Sequence, residues 1–228
     1  MKKDHLDSGD LLCGIDEAGR GPLAGPVCAA AVILPKEFPF WILDDSKKMS
    51  PSAREEARII ICFGALAWGI GWASAAEIDE INIHRASLLA MKRAFDCMAV
   101  SMDDSISGPV DSRQGVHTPP LQGGVVDSML GESNRKEPGK ISAIADGLFV
   151  PDISVPCIAL VQADSKIPSV MAASILAKTA RDRLMEYYGI FYPEYNYEKH
   201  KGYPTKAHRE AIRLFGPSPI QRMSFKCR

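Results

Sequence analysis

The 228-residue sequence lacks three features that would place it in a specialised class of protein. It has no C-x-x-C pair, so neither a zinc site nor a redox motif is indicated, and we expect reduced cysteines within the core. It has no excess of positive charge, because 27 Lys and Arg oppose 28 Asp and Glu. Its first ten residues lack an apolar segment, so we expect no secretory signal and a cytoplasmic location. The cysteines are Cys13, Cys28, Cys62, Cys97, Cys157 and Cys227.

One run without any charged residue, residues 59–76, is as long as a membrane-spanning helix. Three glycines interrupt it, and Trp68, Ile70 and Trp72 alternate as they would in a strand. We therefore predict the end of a helix followed by a buried strand, and no association with a membrane.

The other apolar runs predict an α/β domain with about five strands and at least four helices. The first two strands flank a Gly/Pro-rich link, which favours a hairpin. Strands are predicted at residues 11–17, 26–34, 67–74, 141–146 and 155–162. Helices are predicted from Pro51, capped by Ser50, to about Cys62, from Asn82 to about Met98, from Pro168 to about Tyr188, and from a Thr205 cap to Gly216 and Pro217.

A segment without aromatic residues, Ser101 to Lys140, interrupts this pattern. Six Ser, six Gly and four Pro occur in it, and such a composition buries too little apolar surface to offset the entropy of ordering. We predict a single domain, 1–228, with a flexible insertion at 101–140 and a helical C-terminal extension from about residue 190.

Four acids, Asp16, Glu17, Asp146 and Asp164, lie at or just after the ends of predicted strands. Any one of them could be a solvated strand-end acid. Four together favour a metal site, because Mg²⁺ and similar ions prefer carboxylate oxygens and functional groups gather at strand ends of α/β sheets. Since adjacent strand residues point to opposite faces, Asp16 and Glu17 can share a site only where the strand twists, bulges or ends.

The stretch after the first two acids, GRGPLAG, could also be a dinucleotide-binding loop. Its glycines follow G-x-G-x-x-x-G rather than G-x-G-x-x-G, and the loop joins two strands instead of opening a helix. This alternative is therefore weak. A turn made by Gly19, Arg20 and Gly21 still permits backbone amides to approach a sugar or a phosphate.

Basic residues occur in two further patterns. DSKKMSPS and DSKIPSV, from Asp45 and Asp164, are either unrelated capping turns or a pair of loops that bring Lys47 and Lys166 to a phosphate. Residues 198–228 carry eight Lys or Arg against two acids. The stretch HKGYPTKAHRE mixes this charge with glycine and tyrosine, which suits a sugar-phosphate backbone, although a solvated face is the commoner explanation. His200 and His208 could be bases or ligands, but surface histidines are commoner.

The chain resembles ribonuclease HII, the bacterial type 2 ribonuclease H, in several motifs that occur in order. The resemblance covers nearly the whole chain except 101–140. The matching stretches are GIDEAGRGPLAGPV, DSKKMS, EIDEINIHRASLLAMKRA, ADG at residues 145–147, ADSKIPSVMAASILAKTARD and HKGYPTKAH.

The resemblance implies a ribonuclease H-like fold, in which helices flank a five-stranded mixed sheet and a small helical part ends the chain. It implies an endonuclease that uses two Mg²⁺ or Mn²⁺ ions on the RNA strand of RNA/DNA hybrids and on ribonucleotides embedded in duplex DNA. Its products would be 3′-hydroxyl and 5′-phosphate ends, its role the removal of misincorporated ribonucleotides and RNA primers, and its state a monomer. The metal ligands would be Asp16, Glu17, Asp146 and Asp164; the 2′-hydroxyl would meet Gly19, Arg20 and Gly21; and Tyr203 would stack on the following sugar.

Lys47, Lys166 and Lys178 lie within these motifs, and we interpret them as phosphate contacts. Two other functions remain open. The chain could be a non-catalytic module that binds hybrid duplexes, or a nucleotide-cofactor enzyme, which the glycine spacing already disfavours. Intact acids at all four positions favour the nuclease.

Overall fold

The computed structural model describes residues 10–107 and 140–226. Five strands form one mixed sheet in the order β3-β2-β1-β4-β5. β2 is antiparallel to β1 and β3, whereas β4 is parallel to β1 and β5. The predicted hairpin and the predicted mixed sheet are therefore confirmed. The strands are β1 (Leu11–Ala18), β2 (Val27–Ile33), β3 (Ala67–Ala73), β4 (Ile141–Asp146) and β5 (Cys157–Leu160).

Helices cover both faces of the sheet and form the C-terminal part. Two predicted caps are confirmed, because the hydroxyls of Ser50 and Thr205 accept hydrogen bonds from the third residue of each helix. Short 3₁₀ turns lie at Phe40–Ile42, Ala163–Ser165 and Pro193–Tyr195. The helices are α1 (Pro51–Gly64), α2 (Ala75–Ser107), α3 (Pro168–Phe191), α4 (Tyr197–His200) and α5 (Lys206–Phe215).

Helix α2 is longer than predicted at both ends. It begins at Ala75, and Asn82, with φ 67° and ψ 161°, interrupts it. The Asn82 side chain accepts a hydrogen bond from the Arg85 amide, so the predicted start at Asn82 is a real cap inside a kinked helix. Because α2 continues to Ser107, residues 101–107 of the predicted insertion are helical. The rest of that prediction, residues 108–139, lies outside the described residues.

Two core layers sandwich the sheet. Cys13, Ile15 and Ala145 face α2, whereas Cys28 and Ala30 face α1 and α3. Close packing accounts for the glycines in the β3 part of the charge-free run. A Cβ on Gly71 would lie 2.1 Å from the backbone oxygen of Ala90 in α2. Gly69 and Gly71 let the α2 backbone pack directly onto β3, whereas Gly64 lies beside the Phe38 ring.

The charge-free run ends α1 and forms β3, as predicted. In the part of the chain that the structure describes, no helix is long and apolar enough to cross a membrane.

The prediction of core cysteines is only partly correct. Cys13 and Cys28 are fully buried, but Cys62 and Cys157 are half-buried and Cys97 is exposed. Cys97 lies on the outer face of α2, whereas Phe95 and Met98 of the same helix are buried in the core. Cys227 lies outside the described residues.

Candidate active site

Two of the four acids stand side by side at the carboxyl ends of parallel strands. Ile15 pairs with Ala145, and Asp16 and Asp146 are the next residues on β1 and β4. Ile15 and Ala145 face α2, so alternation directs Asp16 and Asp146 to the face covered by α3. Gly14 makes this approach close, because a Cβ there would lie 2.1 Å from the Ser169 carbonyl carbon of α3.

Glu17 reaches the same site by a different route. β1 stays paired with β2 through Ala18 without a bulge, but its pairing with β4 ends at Ile15. The edge of β1 beyond Ile15 is therefore unpaired on the β4 side. This end of the pairing is one of the three conditions under which Asp16 and Glu17 can share a site. The Asp16 carboxylate accepts the Glu17 amide at 2.7 Å, and Arg20 donates to Glu17 at 3.1 Å.

The electrostatics show that these three acids lie close together. Burial, followed by the negative charges of Glu17 and Asp146, raises the pKa of Asp16 well above that of a free aspartate. Burial also raises the pKa of Glu17, against the opposing effect of Arg20. Glu17 Oε2 is buried and has no hydrogen-bond partner among the described residues.

Asp164 joins the site from a turn rather than from a strand. β5 ends at Leu160, earlier than predicted, and Asp164 lies on the 3₁₀ turn that precedes α3. The Asp146 carboxylate accepts the amide of Ala163 at 2.7 Å, which ties this turn to the end of β4. Asp164 is buried and is paired with Lys47, whose Nζ lies 3.0 Å from its Oδ2.

Lys47 lies between the acids. The hydrogen bond to Asp164 raises its pKa, with smaller contributions from Asp164, Asp16 and Asp45 charges. Asp45 is half-buried and accepts the Lys47 amide at 2.9 Å, so it forms a turn beside the site. The interpretation of Asp164, and not of Asp45, as a metal ligand stays a prediction.

The donor set suits a hard divalent cation in its chemistry. It offers buried carboxylate oxygens, mutual repulsion between like charges, and an orphaned oxygen on Glu17. The present side-chain positions do not form a finished cage: within residues 10–107 and 140–226, no three acidic, histidine or cysteine side chains are grouped to hold one ion. Lys47 and Arg20 supply the positive charge instead.

The other two lysines point to neighbours of their own. Lys166 Nζ donates to the backbone oxygen of Val161 at 2.9 Å. Lys178 Nζ is paired with Asp182 at 2.7 Å, one turn along α3. The structure brings neither ammonium into contact with the four carboxylates, and their role as phosphate contacts stays a prediction.

The turn made by Gly19, Arg20 and Gly21 lies directly after β1. Gly19 has φ +97°, a conformation that favours glycine. Arg20 and Gly21 are exposed, and Tyr203 is near: a Cβ on Gly21 would lie 3.7 Å from its ring. Tyr203 is 42% exposed, so a flat face is available to a ligand beside the glycine turn.

Two arginines behind this turn were not singled out from the sequence. Arg181 of α3 and Arg222 of the C-terminal segment are almost completely buried. Each donates three hydrogen bonds to backbone carbonyls, and all but one of those six carbonyls belong to residues 19–26. In the sequence, neither arginine could be distinguished from an arginine on the surface.

The two histidines serve the fold of this region. His208 is fully buried, so the surface expectation is wrong for it, and its ring stacks on His200 with centroids 4.6 Å apart. His200 and His208 contact the backbone oxygens of Tyr195 and Tyr203 at 2.8 and 3.0 Å. Burial lowers the pKa of both rings.

Comparison with known proteins identifies relatives over most of the chain. The family model described as Ribonuclease HII matches residues 13–119 and 138–228. Ribonuclease HII of Treponema denticola is 51% identical over 218 residues, which are 94% of this chain and 98% of the relative.

Solved structures with lower identity share the fold. Ribonuclease H2 from Pyrococcus horikoshii OT3 has a TM-score of 0.60 at 21% identity, over 95% of this chain and 94% of that one. Bst-RNase HIII in complex with Mn²⁺ has a TM-score of 0.66 at 17% identity, over 96% of this chain and 68% of that one. The predicted ribonuclease H-like architecture is confirmed.

Proposed function

The chain belongs to the ribonuclease HII family of endoribonucleases, and we propose that it cuts by a metal-dependent reaction at four acids. These are Asp16, Glu17, Asp146 and Asp164. Family membership supports an endonuclease of RNA/DNA hybrids. The finer proposal is that it also cuts at ribonucleotides embedded in duplex DNA, leaves 3′-hydroxyl and 5′-phosphate ends, and acts as a monomer that removes misincorporated ribonucleotides and RNA primers.

One observation carries the metal-dependent reaction. Asp16 and Glu17 are buried with Asp146 nearby, and the charged forms of Asp16 and Glu17 are destabilised by burial and repulsion. Buried acids persist at such a cost where a ligand supplies the missing positive charge. A purely structural acid would instead be fully hydrogen-bonded, and Glu17 Oε2 is not bonded to any described residue.

Asp16, Glu17, Asp146 and Asp164 would hold two Mg²⁺ or Mn²⁺ ions, which when bound supply an activated water and stabilise the leaving 3′ oxygen. The described Mn²⁺ complex of Bst-RNase HIII supports a divalent ion here through the shared fold. Two cations of the chain already pair with these acids, Arg20 with Glu17 and Lys47 with Asp164. On substrate binding, both cations would turn to phosphate oxygens.

Recognition of the strand to cut would fall to the glycine turn and Tyr203. Backbone groups of Gly19 to Gly21 would contact the ribose 2′-hydroxyl, the group that distinguishes RNA from DNA. Tyr203 would stack on the sugar that follows. Gly21 and Tyr203 are both exposed and lie close together, which supports a single recognition surface beside the acids.

A labelled DNA duplex with one ribonucleotide tests this function. We expect cleavage at that nucleotide with Mg²⁺ or Mn²⁺, none with EDTA, and none of an all-deoxy duplex. The products should be extended by a polymerase at the 3′ end and joined by a ligase at the 5′ end. Binding without cleavage in every metal would instead support the hybrid-binding module, and would refute the proposed nuclease.

A further inference from the structure

The buried guanidinium of Arg222 holds the substrate-recognition turn from behind. Its Nη1 donates to the backbone oxygen of Arg20 at 3.0 Å, its Nη2 to that of Gly19 at 2.6 Å, and its Nε to that of Gly25 at 2.8 Å. Arg222 is fully buried, although Arg20 is exposed. The carbonyls of the turn thus point into the protein.

The direction of these carbonyls fixes the direction of the amides that follow them. In a trans peptide the carbonyl and the next N–H point to opposite sides of the chain. No peptide bond in the part of the chain that the structure describes is cis. With the oxygens of Gly19 and Arg20 turned toward Arg222, the N–H groups of Arg20 and Gly21 point away from it, toward the exposed side where Tyr203 lies.

A positive charge behind these peptides also strengthens them as donors. A guanidinium that donates a hydrogen bond to the oxygen of a peptide draws electron density from the N–H of that peptide, so the outward amides bond an oxygen more strongly. Burial lowers the pKa of Arg222 to about 9, which leaves it charged at neutral pH.

Arg222 is itself held in place by a segment remote from the acids. Its amide donates to the oxygen of Leu23 at 2.8 Å, and its guanidinium lies 5.1 Å from the centre of the Phe225 ring. The Asp79 carboxylate, on α2, accepts the amides of Met223 and Ser224 at 2.8 and 2.9 Å. Asp79 therefore clamps the two residues that follow Arg222.

We propose that Arg222 is a positioning residue for substrate selection, which orients the amides of Arg20 and Gly21 toward the ribose 2′-oxygen. Arg222 does not touch the substrate. It acts through two peptide groups, and the clamp at Asp79 holds it in register. This inference rests on the proposed function, because it assigns to that function the residue that sets its preference for ribonucleotides.

Paired binding measurements test the role. Affinity is measured in Ca²⁺ for a DNA duplex with one ribonucleotide and for the same duplex with a deoxynucleotide. We expect wild type to prefer the ribonucleotide by about 10-fold, the equivalent of one good hydrogen bond. The Arg222→Lys variant keeps the charge but loses the three-way fork, and its preference should fall to nearly 1 with little change in affinity for the deoxy duplex.

Arg181→Lys is the matched control. Arg181 is as buried as Arg222 and also donates to three carbonyls, but to those of Ala24, Pro26 and Lys201. Its side chain packs beside Gly19, where a Cβ would lie 2.0 Å from Nε, yet it does not bond the carbonyls of Gly19 and Arg20. The two variants therefore differ in the hydrogen bonds to those two carbonyls. Both variants should lower the melting temperature. Only Arg222→Lys should lose the ribonucleotide preference, a difference that general destabilisation does not produce.

Asp79→Asn is a second variant, in case Arg222→Lys does not fold. It weakens the clamp from a partly exposed position, so the preference should fall by about 3-fold, since the Asn side chain still accepts one of the two amides. Unchanged preference in every folded variant would overturn the inference, as would a wild-type protein without preference. Metal-dependent cleavage by wild type is measured separately, so loss of the proposed function itself is distinguishable.

Discussion

The molecule buries charge in two neighbouring regions, and it treats the two in opposite ways. The carboxylates at the ends of β1 and β4 repel one another, and burial raises the pKa of Asp16. The guanidiniums of Arg181 and Arg222 each meet three backbone carbonyls. A buried charge whose hydrogen bonds the backbone completes stabilises the fold. A buried charge without such partners is instead typical of a site that binds a ligand.

The largest expected effect is on catalysis at the acid side. Asp146→Asn keeps the size and the hydrogen bond to Ala163 but removes the charge, so cleavage should fall by about 10³-fold or more. Duplex binding should change little. Single-turnover rates and binding in Ca²⁺ measure the two effects, with the exposed Asp152→Asn as the control from the same loop region. Near wild-type cleavage by Asp146→Asn would contradict the assigned ligand set.

The next effect is on stability at the arginine side. Arg181→Met leaves three buried carbonyls without their donor, so the free energy of unfolding should fall by about 3 kcal/mol or more. Arg183→Met, two residues along α3, removes only an exposed pair with Glu55 and should cost less than about 1 kcal/mol. Denaturant titrations compare them, and equal losses would remove the distinction between the two regions.

A smaller effect of opposite sign is expected for the acids. Asp16→Asn removes a buried charge that its neighbours repel, so without metal at pH 7 it should stabilise the fold by about 1 kcal/mol while abolishing cleavage. Glu37→Gln is the control, because Glu37 is exposed and has no hydrogen bond or ion pair with another described residue. Thermal melts in EDTA measure the difference. A less stable Asp16→Asn protein would mean that this carboxylate contributes to folding.

The smallest effect concerns the stacked histidines, of which His208 is fully buried and His200 is half-buried. Burial depresses the pKa of His200 and His208 below the ordinary 6.5, so the unfolded chain binds protons more readily than the folded one. Their contribution is fully present above about pH 6.5 and is lost as the pH falls below that value. The free energy of unfolding should therefore fall as the pH is lowered from 7 to 5.

His208→Asn checks the assignment, because the acids titrate in both proteins and cancel in the difference. The free energy of unfolding of the variant should vary less between pH 7 and pH 5 than that of wild type. Identical pH profiles would show that the histidines do not protonate in this range.

Much of this could be predicted from local patterns. Short apolar runs predicted all five strands, and Ser50 and Thr205 marked two helix starts through cap chemistry. The acids were found because strand ends are readable in the sequence. The first turns of α2 were not predicted, because Asn82 resembles the cap residue at the start of a helix. In the structure it lies at a kink between two helical segments, which pack together on β3.

The arginine side was invisible for a physical reason. Arg222 contacts Arg20 across 202 residues, and nothing near either residue in sequence specifies that contact. A buried arginine is also indistinguishable from a surface one in a basic tail, where eight positive residues predicted a solvated or nucleic-acid-binding face. The assignments of the four ligands, the glycine turn and Tyr203 stay predictions, which the variants above address.

The long separation between Arg222 and its turn has a consequence for how the protein is made. A chain emerges from the ribosome with its N-terminal part first, so β1 and the turn after it are exposed long before Arg222 exists. The sheet and its acids can assemble early, but the turn waits for a partner about two hundred residues later. If the acids bind metal and Arg222 sets the preference for ribose, as proposed, a nascent chain would have its metal ligands before it could distinguish ribose from deoxyribose.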